Sequence, residues 1–194
     1  MNSWRNHWSE HADVNTHRGS QVVLIDRLFH VAIKTRDIQA TRRFYVEILG
    51  MALDTRPALD FPGIWLRNPL PGGFAIFHIY AGDAALEPDG SFASGTGVID
   101  HISIAALGFE EYRERFRSHQ LAWRENVVSG AGLWQLFVYD PSAVLLELSF
   151  SAAAEKTAEP RIEPNFLYKP REIFFRAEDY AQFTSVPVGR SGSR

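Results

Sequence analysis

The sequence contains no cysteine, and none of its apolar runs approaches the length of a membrane span. Without cysteine there can be no disulfide bond and no thiol catalysis, so any bound metal ion must be held by His, Asp or Glu. A membrane-spanning helix needs about 20 apolar residues, and residues 1–20 are polar, without the apolar core of a signal peptide. These absences predict a cytoplasmic protein that does not enter a membrane.

Clusters of positive charge are also missing. The 20 Lys and Arg residues are outnumbered by 23 Asp and Glu residues, which gives a formal net charge of -3. Nucleic-acid binding requires clustered basic side chains that neutralise phosphates, so nucleic acid is not an expected partner. With 45% hydrophobic and 22% charged residues, the 194-residue chain can bury the core of one substantial domain.

A strand, a helix and three further strands are predicted twice along the chain. The first copy has its elements at residues 27–34, 38–49, 51–56, 63–67 and 74–81. After a linker, the second copy has its elements at residues 98–106, 109–120, 124–129, 133–139 and 144–150. Two copies of one unit are stronger evidence for a fold than either copy alone.

The repeat divides the chain into three parts. We predict an N-terminal arm at residues 1–24, a paired domain at residues 25–152 and a C-terminal extension at residues 153–194. The extension is rich in Phe and Tyr between positions 166 and 183, so we expect it to pack on the domain or on a partner chain.

Three ionisable residues lie within otherwise apolar strands. His30 and His101 occupy matching places in the first strand of each copy, and Glu147 lies in the last strand of the second copy. Burying an unpaired charge is costly, so the three groups are expected to meet around a cation. The alternative interpretations are a hydrogen-bonded core histidine for His30 and a salt-bridge partner for Glu147. Two His and one carboxylate form the ligand set typical of non-haem Fe(II), and Mn, Ni, Co and Zn also accept it.

The paired pattern resembles the vicinal-oxygen-chelate superfamily. That superfamily includes glyoxalase I, extradiol ring-cleaving dioxygenases, methylmalonyl-CoA epimerase, and fosfomycin- and bleomycin-resistance proteins. The resemblance covers residues 27–150 and rests on three stretches, LFHVAIKTRDIQATRRFYVEILGM, GVIDHISIAA and LFVYDPSAVLLELSF. The end of the first helix, FY..ILGM, and the last strand, DP....LLEL, are typical of the superfamily.

The resemblance implies an α+β fold in which two βαβββ modules form one cupped, barrel-like mixed sheet around a metal site. His30, His101 and Glu147 match the family's metal ligands from the first, fifth and eighth strands. It also implies a homodimer, because the cupped sheets of this family are often completed or buttressed by a partner. The expected ligand is a small molecule.

His78 lies in the fourth predicted strand, on the face of Ile76 and Tyr80. In glyoxalase I and the epimerases this strand supplies a fourth metal ligand, commonly Glu or Gln. In the extradiol dioxygenases it supplies a His that is an acid–base group and not a ligand. A neutral imidazole near a dication suits proton transfer at neutral pH, so His78 is the predicted catalytic residue. A hydrogen-bonded structural histidine is the alternative.

The chain departs from the family pattern at two positions. Ala143 stands in the turn DPSA where many relatives carry Gly. A left-handed residue would be strained as Ala, so we expect this turn to differ from that of the relatives. Phe137 stands where the extradiol enzymes usually have Tyr.

The function predicted from the sequence is that of a metal-dependent dioxygenase of the extradiol ring-cleavage type. It would bind a small aromatic or otherwise vicinally oxygenated substrate through two oxygens on Fe(II). The first alternative is a redox-neutral lyase, isomerase or epimerase of the glyoxalase type that uses Ni, Co, Mn or Zn. The second alternative is a non-catalytic binding protein of the resistance type.

Overall fold

The computed structural model describes Ile25 and residues 27–184. Its eight strands are β1 (Val31–Lys34), β2 (Ala52–Asp54), β3 (Gly63–Arg67), β4 (Ala75–Tyr80), β5 (Ile102–Ala106), β6 (Trp123–Val128), β7 (Leu133–Tyr139) and β8 (Leu145–Ser151). Its α-helices are α1 (Ile38–Arg43), which continues as a π-helical turn at Phe44–Ile48, and α2 (Phe109–Ser118). Short 3₁₀ segments lie at Gly82–Ala85, Ser129–Ala131 and Ala177–Phe183.

The strands form two four-stranded mixed sheets, ordered β1-β4-β3-β2 and β5-β8-β7-β6. In each sheet the first strand pairs with the last in parallel, and the other pairs are antiparallel. The predicted α+β fold with two βαβββ modules is confirmed. We expected one cupped, barrel-like sheet. Within one chain the structure has two separate sheets, and neither closes into a barrel.

Helix α1 begins where the sequence offers a cap. The side chain of Asp37 accepts hydrogen bonds of 2.9 Å from the backbone N–H groups of Gln39 and Ala40, which have no partner inside the helix. The helix and its π-helical turn end before Gly50, whose φ of 71° lies in the left-handed region that favours glycine.

Each sheet has one face covered by its own helix, here called the helix face. In the second module the ring of Phe109 on α2 meets those of Trp134 and Phe150 edge-on, at centroid distances of 5.5 and 5.3 Å. In the first module Tyr45 contacts Phe77 at 5.2 Å. Because side chains alternate along a strand, the residues between these lie on the other side of the sheet, here called the open face.

The two modules contact each other on their helical side. The hydroxyl of Tyr112 on α2 donates a 2.8 Å hydrogen bond to the carbonyl of Leu49, and Arg115 donates one of 3.1 Å to the carbonyl of Ile48. One buried core includes helix-face residues from both modules.

The strand predicted at residues 98–106 begins only at Ile102, as β5. Gly97 has a φ of 63°, and the N–H of Ile99 donates to the carbonyl of Thr96, so a turn occupies the place of the first predicted residues. The side chain of Ile99 is 58% exposed as a result.

The extension beyond the repeat contacts the second module. The N–H of Glu125 on β6 donates to the carbonyl of Phe166, and the N–H of Tyr168 donates to the carbonyl of Glu125. Further on, Tyr180 and Phe183 are buried in the main core. The predicted arm at residues 1–24 lies outside the described residues. Within the described chain, no helix has the length and apolar character needed to span a membrane.

Candidate metal centre

His101 and Glu147 meet on the open face of the second sheet. Nε2 of His101 lies 3.0 Å from Oε2 of Glu147. His101 directly precedes β5, and Glu147 on β8 pairs in register with Ser103 of β5. The parallel pairing of these two strands therefore brings together residues that are 46 positions apart. Glu147 is only 6% exposed, so its charge needs a compensating partner.

Neighbouring side chains fix the orientation of both groups. Asp100 Oδ1 lies 2.7 Å from His101 Nδ1, and the hydroxyl of Ser103 donates a 2.7 Å hydrogen bond to Glu147 Oε1. Ser149 donates a second hydrogen bond to the same oxygen. With Nδ1 donating to Asp100, a neutral His101 directs a lone pair from Nε2 towards the Glu147 carboxylate. A nitrogen lone pair facing a carboxylate oxygen is unfavourable unless a proton or a cation lies between them.

His30 and His78 meet on the open face of the first sheet. Their rings stack with centroids 3.9 Å apart and planes 16° apart. Trp65 covers the other face of His78 at a centroid distance of 4.1 Å. Among the described residues, the buried atoms His30 Nδ1 and His78 Nε2 have no hydrogen-bond partner.

The surroundings of His78 determine its charge. Burial, together with the nearby positive charges of His30 and Arg56, lowers the pKa of His78 to about 4, although Asp54 acts in the opposite direction. The imidazole of His78 is therefore neutral at pH 7. A neutral ring with a free nitrogen lone pair can accept a proton or bind a cation.

The two pairs occupy equivalent places in the two modules. His30 precedes β1 as His101 precedes β5, and His78 has the position in the first sheet that Glu147 has in the second. Across the open face of the first sheet, the paired positions run Ala32, His78, Trp65, Asp54. Across the second sheet they run Ser103, Glu147, Phe137, Arg124. The internal repeat thus extends from the fold to the candidate site.

Within one chain the two pairs remain separate. Among residues 25 and 27–184, no three His, Asp, Glu or Cys side chains lie close enough to hold one metal ion. The structure therefore brings His101 to Glu147 and His30 to His78, while the set of His30, His101 and Glu147 around a single ion stays a prediction. The donors fit a divalent cation, because imidazole nitrogens left without a partner and a buried carboxylate are ligands of Fe, Mn, Ni, Co and Zn.

Two residues near His101 were not predicted from the sequence to belong to the site. Asp100 could have been found, because it directly precedes His101 in the chain. Tyr168 lies in the extension, outside the repeat, and no sequence pattern marks it. Its ring stacks on Phe137 with centroids 3.8 Å apart, and its hydroxyl lies 3.5 Å from Asp100 Oδ1. At the place in β7 where the extradiol enzymes usually have Tyr, this chain therefore has Phe137, and Tyr168 from the extension stacks on it.

The turn that leads into β8 contains a left-handed residue that is not glycine. Ala143 has a φ of 61°, in the left-handed region. Asp140 holds the turn, because its Oδ1 accepts hydrogen bonds of 2.8 Å from the N–H groups of Ser142 and Val144. The sequence led us to expect a different turn here, but Ala143 keeps the left-handed conformation.

The sequence matches no protein-family model and has no significant match among curated proteins. Solved structures do match. One is a protein from Bacillus anthracis assigned to the glyoxalase family, with a TM-score of 0.52 at 17% identity over 68% of this chain and 99% of that one. Another is a variant of the fosfomycin resistance protein FosX from Listeria monocytogenes, with a TM-score of 0.50 at 19% identity over 66% of this chain and 94% of that one.

The chain has the vicinal-oxygen-chelate fold. The FosX structure holds Mn(II) and 1S,2S-dihydroxypropylphosphonic acid, so this fold accommodates a divalent metal in that protein. At these identities the likeness concerns the fold. What the vicinal-oxygen-chelate fold does in this chain depends on its own side chains.

Proposed function

We propose that this protein is a metal-dependent enzyme for small vicinally oxygenated substrates, and that two copies of the chain build each centre. His101 and Glu147 of one copy would hold a divalent cation together with His30 of the other copy. The observation that carries the proposal is that the candidate metal ligands lie in two separate pairs, His101 with Glu147 and His30 with His78. Neither pair alone has the three ligands that were predicted. One pair has a carboxylate facing an imidazole nitrogen, and the other has imidazole nitrogens without a partner.

The edges of the two sheets support a second copy as the missing partner. Strands β1 and β5 each have a neighbour on one side only, β4 and β8 respectively. Apolar side chains just before these strands are exposed, with Leu28 at 77% and Ile99 at 58%. Unpaired edges with exposed apolar residues favour association. In a two-fold dimer, β1 of each copy would lie beside β5 of the other, and two equivalent centres would form.

The roles of the side chains follow from their surroundings. When bound, the cation would supply Lewis acidity and a template for two adjacent substrate oxygens. Asp100 would keep Nε2 of His101 directed at the cation, as carboxylates beside metal-binding histidines do. His78 is neutral at pH 7, and its Nε2 would take up the proton of a substrate hydroxyl.

Among reactions of this class, we favour oxygenation of the extradiol type with Fe(II). The acid–base capacity of His78 supports this choice, because ring cleavage of a catechol-type substrate requires a group that accepts the proton of a substrate hydroxyl. A redox-neutral lyase or isomerase reaction is the second candidate. It is favoured by the equivalence of His78 and Glu147 in the two sheets, because that place would suit a fourth metal ligand.

Subunit complementation tests the proposal. His30→Ala and Glu147→Gln proteins, each alone, should lose tight Mn(II) binding, because every centre in either homodimer lacks one ligand. Co-expressed in equal amounts, they should recover about a quarter of the wild-type Mn(II) content, because half of the dimers are mixed and each mixed dimer has one intact centre. Mn(II) content and dimer mass are measured by elemental analysis and light scattering.

Two controls make the result interpretable. His119→Ala, at the end of α2 and away from both pairs, should bind Mn(II) as the wild type does. A protein doubly substituted at His30 and Glu147, co-expressed in equal amounts with wild type, should leave both centres of every mixed dimer incomplete, so the Mn(II) content should fall to about a quarter of the wild-type value, whereas centres built within single chains would leave about half. A monomeric wild-type protein, or a mixture that recovers no Mn(II), would contradict the shared centre. Metal analysis of protein purified without added metal would then separate the reactions, with iron supporting oxygenation and nickel or zinc the redox-neutral route.

A further inference from the structure

The C-terminal extension contributes to the open face of the second sheet. Its residues 166–174, here called the tail segment, run beside β6, where Phe166 and Tyr168 exchange backbone hydrogen bonds with Glu125. At the far end of the tail segment, Phe174 packs against Phe137 and Leu145. The segment therefore lies along the same face of the sheet that carries His101 and Glu147.

An arginine of β6 holds the tail segment in place. Arg124 Nη2 lies 2.6 Å from Glu172 Oε1, and its guanidinium carbon lies 4.6 Å from the centre of the Phe174 ring. Arg124 is in register with Phe137, which is in register with Glu147. Arg124, which holds the tail segment, and Glu147, the candidate metal ligand, are thus separated by one paired position across the sheet.

Tyr168 contacts two residues that surround the ligand pair, Phe137 and Asp100. Its ring lies parallel to that of Phe137, with planes 9° apart, and Phe137 meets the ring of His101 edge-on at 5.7 Å. Its hydroxyl points to Asp100, the group that orients His101. Burial raises the pKa of Tyr168, and the charges of Asp100 and Glu147 add to this effect, so the hydroxyl lies within their field.

One ring face of Tyr168 is therefore covered by Phe137, while the side chain as a whole remains half-buried. The remaining surface of the ring is available beside the ligand pair. Aromatic rings favour parallel, offset contacts with other planar π systems, and such contacts contribute beyond the area that they bury.

We infer that Tyr168 is a substrate-contacting residue whose ring selects planar, aromatic vicinal dioxygen ligands over acyclic ones. The inference rests on the proposed function, because it takes His101 and Glu147 as the place where the substrate oxygens are held. It adds a specificity determinant from outside the repeated modules. The ring of Tyr168 provides the contact, and its hydroxyl is not required for it.

Equilibrium binding to the Mn(II)-loaded dimer tests the inference. The aromatic probe is 4-nitrocatechol, followed by its visible absorbance, and the acyclic probe is lactate, measured by competition. Tyr168→Leu should weaken 4-nitrocatechol binding about tenfold and change lactate binding less than about twofold, because an aliphatic side chain fills the space without a π face. Tyr168→Phe should bind both probes as the wild type does.

Leu167→Ala is the matched control for a disturbance of the tail segment. Leu167 precedes Tyr168 and is partly exposed, so its truncation should leave both affinities within about twofold of wild type. Mn(II) affinity, measured by electron paramagnetic resonance, should be equal in all these proteins.

The possible failures are distinguishable. If wild-type protein does not bind Mn(II), the proposed function fails and the inference fails with it. If Mn(II) and 4-nitrocatechol bind but Tyr168→Leu binds both probes like wild type, only the role of Tyr168 is overturned. The inference is also overturned if Tyr168→Phe loses as much affinity as Tyr168→Leu, or if lactate binding falls as far as 4-nitrocatechol binding.

Discussion

The hydroxyl of Tyr45, in the π-helical turn of the first module, donates a 3.2 Å hydrogen bond to Oδ2 of Asp140, at the end of β7 in the second module. Both side chains are fully buried. Asp140 also holds the turn into β8 through its other oxygen. One carboxyl group therefore links the two modules and shapes the approach to the strand that carries Glu147.

This link makes stability depend on pH. Burial raises the pKa of Asp140 to about 6, although its hydrogen bonds from Val144, Ser142 and Tyr45 act in the opposite direction. The folded state keeps the proton up to about pH 6, whereas an unfolded chain releases it near pH 3.9. The stabilising contribution of the protonated form is thus fully present below pH 3.9 and is lost as the pH rises to about 6. The loss should amount to about 3 kcal/mol.

Urea unfolding between pH 4 and pH 7 checks this prediction, with Asp140→Asn as the reference protein. The amide cannot ionise but can still accept the backbone hydrogen bonds of the turn. Relative to wild type, the variant should therefore gain about 2 kcal/mol in free energy of unfolding between pH 4 and pH 7, because part of the wild-type loss has already occurred at pH 4. A difference between the two proteins that does not change with pH would disprove the prediction.

Ala143→Gly should stabilise the protein. The left-handed conformation at this position costs a non-glycine residue about 1–2 kcal/mol, and the greater freedom of glycine in the unfolded chain offsets part of this. The expected gain in free energy of unfolding is about 1 kcal/mol, measured by urea unfolding. The control is Ala154→Gly, at an exposed turn residue without a positive φ, which should be neutral or destabilising. Equal effects at the two positions would refute the strain at Ala143.

Asp100→Asn should weaken the metal site without removing a ligand. The variant replaces the carboxylate that orients His101, and loss of such a partner typically lowers metal affinity by about 10–100-fold. Mn(II) titration of the dimer measures the change. Asp83→Asn, at an exposed position in the first 3₁₀ segment, alters the same charge and should leave the affinity unchanged. An equal loss in both variants would show that net charge, and not the orientation of His101, controls binding.

His78→Ala should separate the two candidate reactions. As an acid–base group, His78 should be dispensable for Mn(II) or Fe(II) content but needed for turnover, with a loss of about 10²–10⁴-fold. Oxygen uptake with catechol and metal content are measured on the same samples. A joint loss of metal and activity would favour a ligand role and the redox-neutral reaction. Unchanged metal and activity, with only lower stability, would make His78 a structural residue.

The sequence by itself determined the elements and the faces on which their side chains lie. Alternation along strands, the cap at Asp37 and the glycine after the first helix are local features, so they can be read without knowing what lies elsewhere in the chain. The same alternation placed His78 and Glu147 on the faces opposite their helices. The repeat then predicted that His30 and His101 would be equivalent, and they are.

Only the tertiary structure decided which of these residues meet. His101 reaches Glu147 because β5 and β8 pair in parallel, and His30 reaches His78 because β1 and β4 do the same. The two pairs remain apart within one chain because the two sheets do not join. Tyr168 reaches Phe137 and Asp100 through an extension with no periodic signal. Such contacts depend on how surfaces pack between segments far apart in the chain, which local patterns do not encode.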